Sequence, residues 1–318
     1  MTRPRTGAPA GPFDDVTLNE AFVFPPPLRA GDCVFVIAPS SPFEAVRGFR
    51  GLGFLRERYR VRFQRDAFTR EGYLAGNDER RRGELSRALN DPEVRAILAF
   101  RGGVGATRIV SDVDFTTLRA DPKWVVGFSD ITALHVECTR AGVASLHAPH
   151  VASLGRCDRE ADHDVVRALE APHAGQTLAL SGVSDGSATA PLVGGNLAIL
   201  HDCAASGRLA LPSAEKTGCI LFLEDVGERP YRIDRMLTAL IRGGHLESVR
   251  GVVLGDFTDC YPGPDGVTVM EVLRSAFEPL GVPVAAGFPA GHGTLNRPLR
   301  FGGIVSLEVS SGRARMSL

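Results

Sequence analysis

From residue 31 onward, short apolar runs alternate with amphipathic stretches. Cys33–Ala38 (CVFVIA), dense in β-branched residues, predicts a buried strand. Ser40-Ser41-Pro42-Phe43-Glu44 follows; Ser41 as a cap, Pro42 at the first helical position and Glu44 closing a capping box predict a helix start. Tyr59–Phe63 predicts a second strand. Asp78–Leu89 predicts a helix with Leu85, Ala88 and Leu89 on one side and its charged residues facing out. Val94–Phe100 predicts a strand, and Arg101-Gly102-Gly103-Val104-Gly105 a glycine-rich turn into another helix. Trp124–Phe128 predicts a strand and Asp130–Ala141 a helix. Strands alternating with helices imply parallel βαβ units, so residues 29–151 are expected to form one α/β domain.

The periodicity weakens over residues 152–189, which read as a connector holding one helix (Arg159–Leu169) and one strand (Gln176–Leu180). It resumes over residues 190–318, a second β/α domain. The expected order is a helix at Asn196–Ala205, a strand at Cys219–Leu223, a helix at Tyr231–Arg242, a strand at Val249–Gly255, a helix at Val269–Leu280 and a strand at Val282–Ala286. Phe301–Val309 and Arg313–Ser317 flank Ser310-Ser311-Gly312 as a closing hairpin. Residues 1–28, rich in Pro and Gly, read as a flexible arm, ordered near Phe22–Phe24 if anywhere.

Composition narrows the function classes. Of 318 residues, 44% are hydrophobic and 23% charged, which is ordinary for a folded globular chain. Lys and Arg number 36 against 37 Asp and Glu, a net charge of −1 that offers no basic footprint for nucleic acid and no polybasic membrane signal. No apolar run reaches the ~18 residues of a membrane span, and the N-terminus lacks the order of a secretory signal. Six cysteines (Cys33, Cys138, Cys157, Cys203, Cys219, Cys260) form no CxxC pair and read as reduced thiols of a cytoplasmic protein.

Ligands of open α/β sheets bind beyond the carboxyl ends of the strands, which singles out four segments. Ser129, in Gly127-Phe128-Ser129-Asp130, sits between a strand and a helix. It could be an exposed nucleophile with the Asp130 amide beside it, but the second glycine of GxSxG is replaced by Ile131. On the residues alone, a helix cap is the favoured reading. The paired Gly102 and Gly103 allow close backbone approach and could supply an amide to an oxyanion; a plain turn is equally compatible. Glu224 is the first polar residue after an apolar strand and could orient a histidine, although an acidic loop reads better from sequence alone. His292 lies between Gly291 and Gly293, which expose its ring. His135, His163, His173, His201 and His245 read as structural or surface residues, while His147 and His150 flank Ala148-Pro149 near the expected site. There is no HExxH, no histidine–acid cluster at ligand spacing and no P-loop, so neither metal nor cofactor is expected; Asp78, Asp112 and the other scattered acids read as solvated.

Taken in order, these segments resemble the LD-carboxypeptidase family of serine peptidases, which includes muramoyltetrapeptide carboxypeptidases and microcin C immunity peptidases. The resemblance runs from Gly31 to the C-terminus. It is carried by Ile37-Ala38-Pro39-Ser40-Ser41-Pro42, Ala75-Gly76-Asn77-Asp78 with Arg80, Arg101-Gly102-Gly103-Val104-Gly105 and Val126-Gly127-Phe128-Ser129-Asp130-Ile131. Val193-Gly194-Gly195-Asn196-Leu197, Leu223-Glu224-Asp225-Val226-Gly227-Glu228, Tyr231-Arg232-Ile233-Asp234-Arg235 and Gly291-His292-Gly293 complete it. The resemblance implies a Rossmann-like N-terminal domain with a parallel sheet, a smaller β/α C-terminal domain, a site between them, and a homodimer.

It also implies a Ser–Glu–His triad on Ser129, Glu224 and His292, with the amides of Gly102, Gly103 and Asp130 as oxyanion donors. Arg101 and Asn196 are the candidate substrate contacts. The implied reaction releases terminal D-alanine from a murein tetrapeptide in cell-wall recycling. An immunity-type peptidase acting on an aminoacyl-nucleotide is the alternative, disfavoured by the absence of Phe, Trp or Tyr between Ala152 and Gly218. An inactive binding protein on the same scaffold is the non-enzymatic alternative. Val104 stands where relatives carry tyrosine, Arg300 where a proline is usual, and Ala148 where glycine is common.

Overall fold

The computed structural model describes residues 22–155, 159–172 and 175–318. The N-terminal elements are β1 (Cys33–Ile37), α1 (Ala45–Arg56), β2 (Arg60–Phe63), α2 (Asp78–Asn90), β3 (Val94–Ala99), β4 (Trp124–Gly127), α3 (Thr132–Arg140) and β5 (Ser145–His147). Apolar β1 and β4 are buried at every position, as strands covered on both faces must be. They lie in the middle of a parallel array ordered β5-β4-β3-β1-β2.

Several expectations change here. The first helix begins at Ala45 with Glu44 at its uncapped N-terminus. Ser41 is instead tied to the glycine-rich turn: its hydroxyl accepts from Val104 N at 3.1 Å and its amide donates to Gly102 O at 3.2 Å. That turn leads to a succession of 3₁₀ turns at Ala106–Arg108, Val110–Asp112 and Thr116–Arg119 rather than to an α-helix. The segment is rich in β-branched Val, Ile and Thr, which lose rotamer freedom in a helix, and in Ser and Asp, whose side chains favour local turns. Nor does α2 face all its charges outward. Arg81 and Glu84 are buried. Arg81 Nη1 donates to Pro39 O and, at 2.7 Å, to Gly105 O, while Glu84 Oε2 accepts from Ala38 N at 2.8 Å and Arg80 Nη2 at 3.0 Å. The loops at the ends of β1 and β3 have backbone groups with no ladder to join, and these side chains satisfy them. Asp78, expected to be solvated, pairs with Arg81 and with Arg108 Nη2 at 2.7 Å.

Residues 22–28 pack on this domain. Val23 bridges in parallel to Val143, Leu28 is buried, and the Trp124 indole N–H donates to Pro26 O at 3.1 Å. The order allowed near Phe22–Phe24 is thus present and extends to Leu28, beyond what the sequence suggested; residues 1–21 of the expected arm lie outside the described residues.

The chain continues through α4 (Arg159–Glu170), β6 (Thr177–Ser184), β7 (Gly186–Asn196), α5 (Leu197–Ala205), β8 (Cys219–Val226), α6 (Pro230–Arg242), β9 (Val249–Thr258), α7 (Val269–Phe277), β10 (Val284–Ala286), β11 (Leu299–Phe301), β12 (Ile304–Ser310) and β13 (Arg313–Ser317). Seven of these strands close a barrel in the order β10-β6-β13-β12-β7-β8-β9. β6 and the start of β7 are staves of that barrel, so residues 175–189 are no connector, and the C-terminal unit is larger than the sequence suggested. β6 alternates exposed and half-buried positions, so its apolar signal is diluted.

The expected strand Phe301–Val309 is two strands. Gly302, at φ +91°, breaks it where a Cβ would strike the Phe22 ring at 2.6 Å. β11 before the break pairs antiparallel with β5, with Leu299 opposite His147, and thereby becomes the edge of the N-terminal sheet. This strand stitches the units together just after residue 292. One apolar core also crosses the junction, joining Ile131 and Leu134 of the N-terminal unit to Leu197, Leu221 and Leu254 of the barrel. Cys33, Cys138, Cys203, Cys219 and Cys260 are free and buried; Cys157 lies outside the described residues.

Candidate active site

Ser129 follows β4 after a single extended residue, Phe128, and opens a 3₁₀ turn, Ser129–Ile131, that runs into α3. Its φ is +60°, a left-handed conformation for a side chain with a Cβ. Such strain, typically ~1–3 kcal/mol, persists only where surrounding packing enforces it. The cap positions of the 3₁₀ turn and of α3 fall on Phe128 and Ile131, neither with a side-chain cap bond, so the cap reading of Ser129 does not hold. The turn itself is clamped. Asp130 is buried, and its Oδ2 accepts from Ala106 N at 2.8 Å, binding the serine turn to the end of the glycine-rich loop. Burial pushes the Asp130 carboxyl up to about 6.

Gly102 lies against this turn. A Cβ there would sit 3.1 Å from Ser129 Cβ and 3.0 Å from His150 Cε1, so only glycine lets the backbone come this close. A Cβ on Gly103, at φ +109°, would lie 2.4 Å from Ser41 Oγ.

Glu224 stands inside β8 rather than beyond its end, and it is fully buried. In register, Asn196 at the end of β7 lies beside it. The Asn196 amide donates to Thr132 Oγ1 at 3.0 Å, so the first residue of α3 is fastened next to the strand that carries Glu224. This contact sets Ser129 and Glu224 in one frame although 95 residues separate them (224 − 129).

His292 reaches Glu224 from the loop after β10. Its Nδ1 lies 2.7 Å from Glu224 Oε2. Gly291, at φ +131°, makes room: a Cβ there would fall 2.9 Å from the same carboxylate oxygen. The imidazole also packs on the Phe128 ring with centroids 4.9 Å apart, next to Ser129. With Nδ1 committed to the carboxylate, Nε2 is the nitrogen available for proton transfer.

Ser129, His292, Gly102, Gly103 and Arg101 line one cleft of about 490 Å³, together with Phe43, Glu44, Arg47, Phe128, His150 and Val226. Arg101 Nη1 donates to Pro42 O at 2.6 Å, and Arg47 pairs with Glu44 at 2.9 Å across the rim. Asn196 is not among the lining residues. Its Oδ1 caps α5 by accepting from Ile199 N at 3.2 Å, and its Nδ2 donates to Asp225 Oδ1 at 3.1 Å. That geometry makes it a structural residue, not a substrate contact. His150 stacks on Phe128 at 4.3 Å, and burial pushes its imidazole down to about 3, so it is neutral near pH 7. His147 is buried beneath Phe128 and Phe222 and does not line the cleft. The Asp130 clamp and the Ser41 contact escaped the sequence reading. An acid directly after a candidate nucleophile is the only signal for the first, and nothing local marks the second. Among the described residues, no group of three or more His, Cys, Asp or Glu could hold a metal ion, and no helix is long and apolar enough to cross a membrane.

Comparison with known proteins fits this arrangement. Residues 34–148 match the LD-carboxypeptidase N-terminal domain and residues 189–307 its C-terminal domain. A putative carboxypeptidase of Synechocystis sp. is 38% identical over 304 residues, covering 93% of this chain and 98% of the relative. A probable murein peptide carboxypeptidase of Bacillus subtilis is 34% identical over 279 residues, covering 84% and 86%. The crystal structure of muramoyltetrapeptide carboxypeptidase from Oxalobacter formigenes superposes with a TM-score of 0.78 at 29% identity, covering 90% of this chain and 98% of that one. The chain belongs to the LD-carboxypeptidase family and is a serine-type hydrolase of that family.

Proposed function

We propose that Ser129, Glu224 and His292 are the catalytic triad of a carboxypeptidase that releases terminal D-alanine from murein tetrapeptides. The observation that carries this reading is the 2.7 Å contact between His292 Nδ1 and the buried Glu224, with strained Ser129 on the same cleft. His292 Nε2 takes the Ser129 proton as Oγ attacks the scissile carbonyl. Glu224 holds the Nδ1–H tautomer and stabilises the imidazolium that forms. The amides of Asp130 and of Gly102 or Gly103 take up the oxyanion charge; one such donor contributes ~10²–10³ in rate. The imidazolium then protonates the leaving amine, and water resolves the acyl-enzyme. Arg101, the candidate for the substrate's terminal carboxylate, stands on the cleft wall with a guanidinium fork suited to that anion.

The five buried, free thiols among the described residues support a reducing, cytoplasmic location, and the family resemblance supports a homodimer. Incubation with a disaccharide-tetrapeptide, followed by mass spectrometry, tests the reading. The expected products are the tripeptide and free D-alanine. Turnover of an aminoacyl-nucleotide amide in place of the tetrapeptide would move the assignment to the immunity type, and turnover of neither, in a protein that also fails to label with a serine-reactive probe, to a binding protein.

A further inference from the structure

Glu224, Asn296 and Asp256 each hold the loop that carries His292, and only Glu224 belongs to the triad. Asn296 Oδ1 accepts the Gly291 amide at 3.1 Å. Asp256 lies towards the end of β9. Its amide donates to Ala290 O at 2.9 Å, and its carboxylate packs against Gly293. The fit is close. A Cβ on Gly293 would lie 2.3 Å from Asp256 Oδ2, and one on Gly291 would lie 3.3 Å from Asp256 Cβ. The glycines on either side of His292 thus admit two carboxylates, Glu224 against Gly291 and Asp256 against Gly293, besides exposing the ring.

We propose that Asp256 is a positioning residue for the reaction: by holding Ala290 and packing against Gly291 and Gly293 it fixes the loop that carries the His292 ring, and it places a second negative charge near that imidazole. The inference rests on the reading of His292 as the base. Asp256 does not line the cleft, so it acts through His292 and not on substrate. The titratable and charged groups around His292 are Glu224 on β8, Asp256 on β9, His147 at the end of β5, His150 just beyond it, and Arg47 and Arg101 on the cleft wall. Burial keeps both histidines neutral, so the two carboxylates are what favour the imidazolium formed when Ser129 gives up its proton. Fixing the loop matters as much as the charge, since ~1 Å of misplacement can cost ~10²-fold in rate.

Labelling of Ser129 by a fluorophosphonate tests this without assuming a substrate, because the probe needs only the serine and its base. Rates are compared for wild type, Asp256→Ala, Asp256→Asn and His292→Ala across roughly pH 5 to 9. Asp256→Ala should label about 10–100-fold more slowly, having lost both the pin and the charge. Asp256→Asn keeps the size and packing of the side chain and loses the charge. It should slow by less than about tenfold, with its acid limb displaced to lower pH, because a cation with one anionic neighbour fewer gives up its proton more readily. An unmoved acid limb in Asp256→Asn, or labelling of Asp256→Ala within about twofold of wild type, overturns the proposal. If Asp256→Ala does not fold, Asp256→Asn decides alone. Wild-type labelling rates in His292→Ala would instead remove the base itself, a failure distinct from that of Asp256.

Discussion

His292 Nδ1 and Glu224 Oε2 meet at 2.7 Å although they stand 68 positions apart in sequence, one on a glycine-flanked loop and the other inside a buried strand. The sheet fixes the carboxylate, and the loop brings the ring to it. A neighbouring acid, Glu228, has no such mount. It follows Gly227 and lies 3.6 Å from Arg232 Nη1 at the start of α6. Glu224→Gln should therefore lower kcat by orders of magnitude, on the scale of the ~10⁴ lost when a triad acid becomes an amide. Glu228→Gln should lower it less than about tenfold. Steady-state kinetics of the two variants checks this, and the reverse order of damage would move the acid to Glu228.

Asn196 is expected to matter for stability and not for substrate. Asn196→Ala removes the cap of α5 and a bond to Asp225, and leaves that buried carboxylate short of a partner. Loss of a cap costs about 1 kcal/mol, and loss of a bond to a buried charged group about 1–3 kcal/mol more. Chemical denaturation should show this loss, with KM within about twofold of wild type. A tenfold or greater rise in KM at unchanged stability would return Asn196 to the substrate contacts.

Glu84 predicts a pH signature. Burial pushes its carboxyl up to about 7 from the ordinary 4.5, with Arg80 and the Ala38 amide opposing the rise. A raised value means that the folded chain holds the proton more tightly than the unfolded chain. The stabilising contribution is fully present below about 4.5 and is lost as pH rises through about 7. Glu84→Gln carries no such proton. Urea unfolding across this window should show wild type losing stability relative to Glu84→Gln as pH rises. A constant difference between them would contradict the burial argument.

Much of the fold was legible where side chains alone decide the structure. The runs around β1, β3, β4 and β8 are apolar because both faces are covered, and each was read within a few residues of its bounds. β5, three residues long, gave too short a run to read, and β7, GSATAPLVGGN, mixes small and polar residues because its first half lies at the surface. β11 could not be read locally at all. Phe301 reads as the start of a hairpin strand, whereas the chain breaks at Gly302, in a left-handed conformation against Phe22, and Leu299–Phe301 pairs with β5 of the other sheet.

The site divides in the same way. Ser129, Glu224 and His292 were named from their places at strand ends and from the family resemblance. The arrangement around them was not legible, because it depends on long-range contacts. Asp130 binds Ala106 across 24 residues, and Ser41 binds Val104 across 63. Arg81 and Glu84 show the limit most clearly. Helical periodicity places charges outward, but unpaired backbone groups of neighbouring loops drew these two inside.

The central claim is that Ser129 is the nucleophile, and turnover of the disaccharide-tetrapeptide by Ser129→Ala tests it most directly. Ser129 caps no helix, and its φ of +60° suits alanine no worse than serine, so the variant should fold as wild type does. The account predicts a fall in kcat of about 10⁴–10⁶-fold with the circular dichroism spectrum unchanged. A folded Ser129→Ala protein that kept more than about a tenth of the wild-type rate would contradict it.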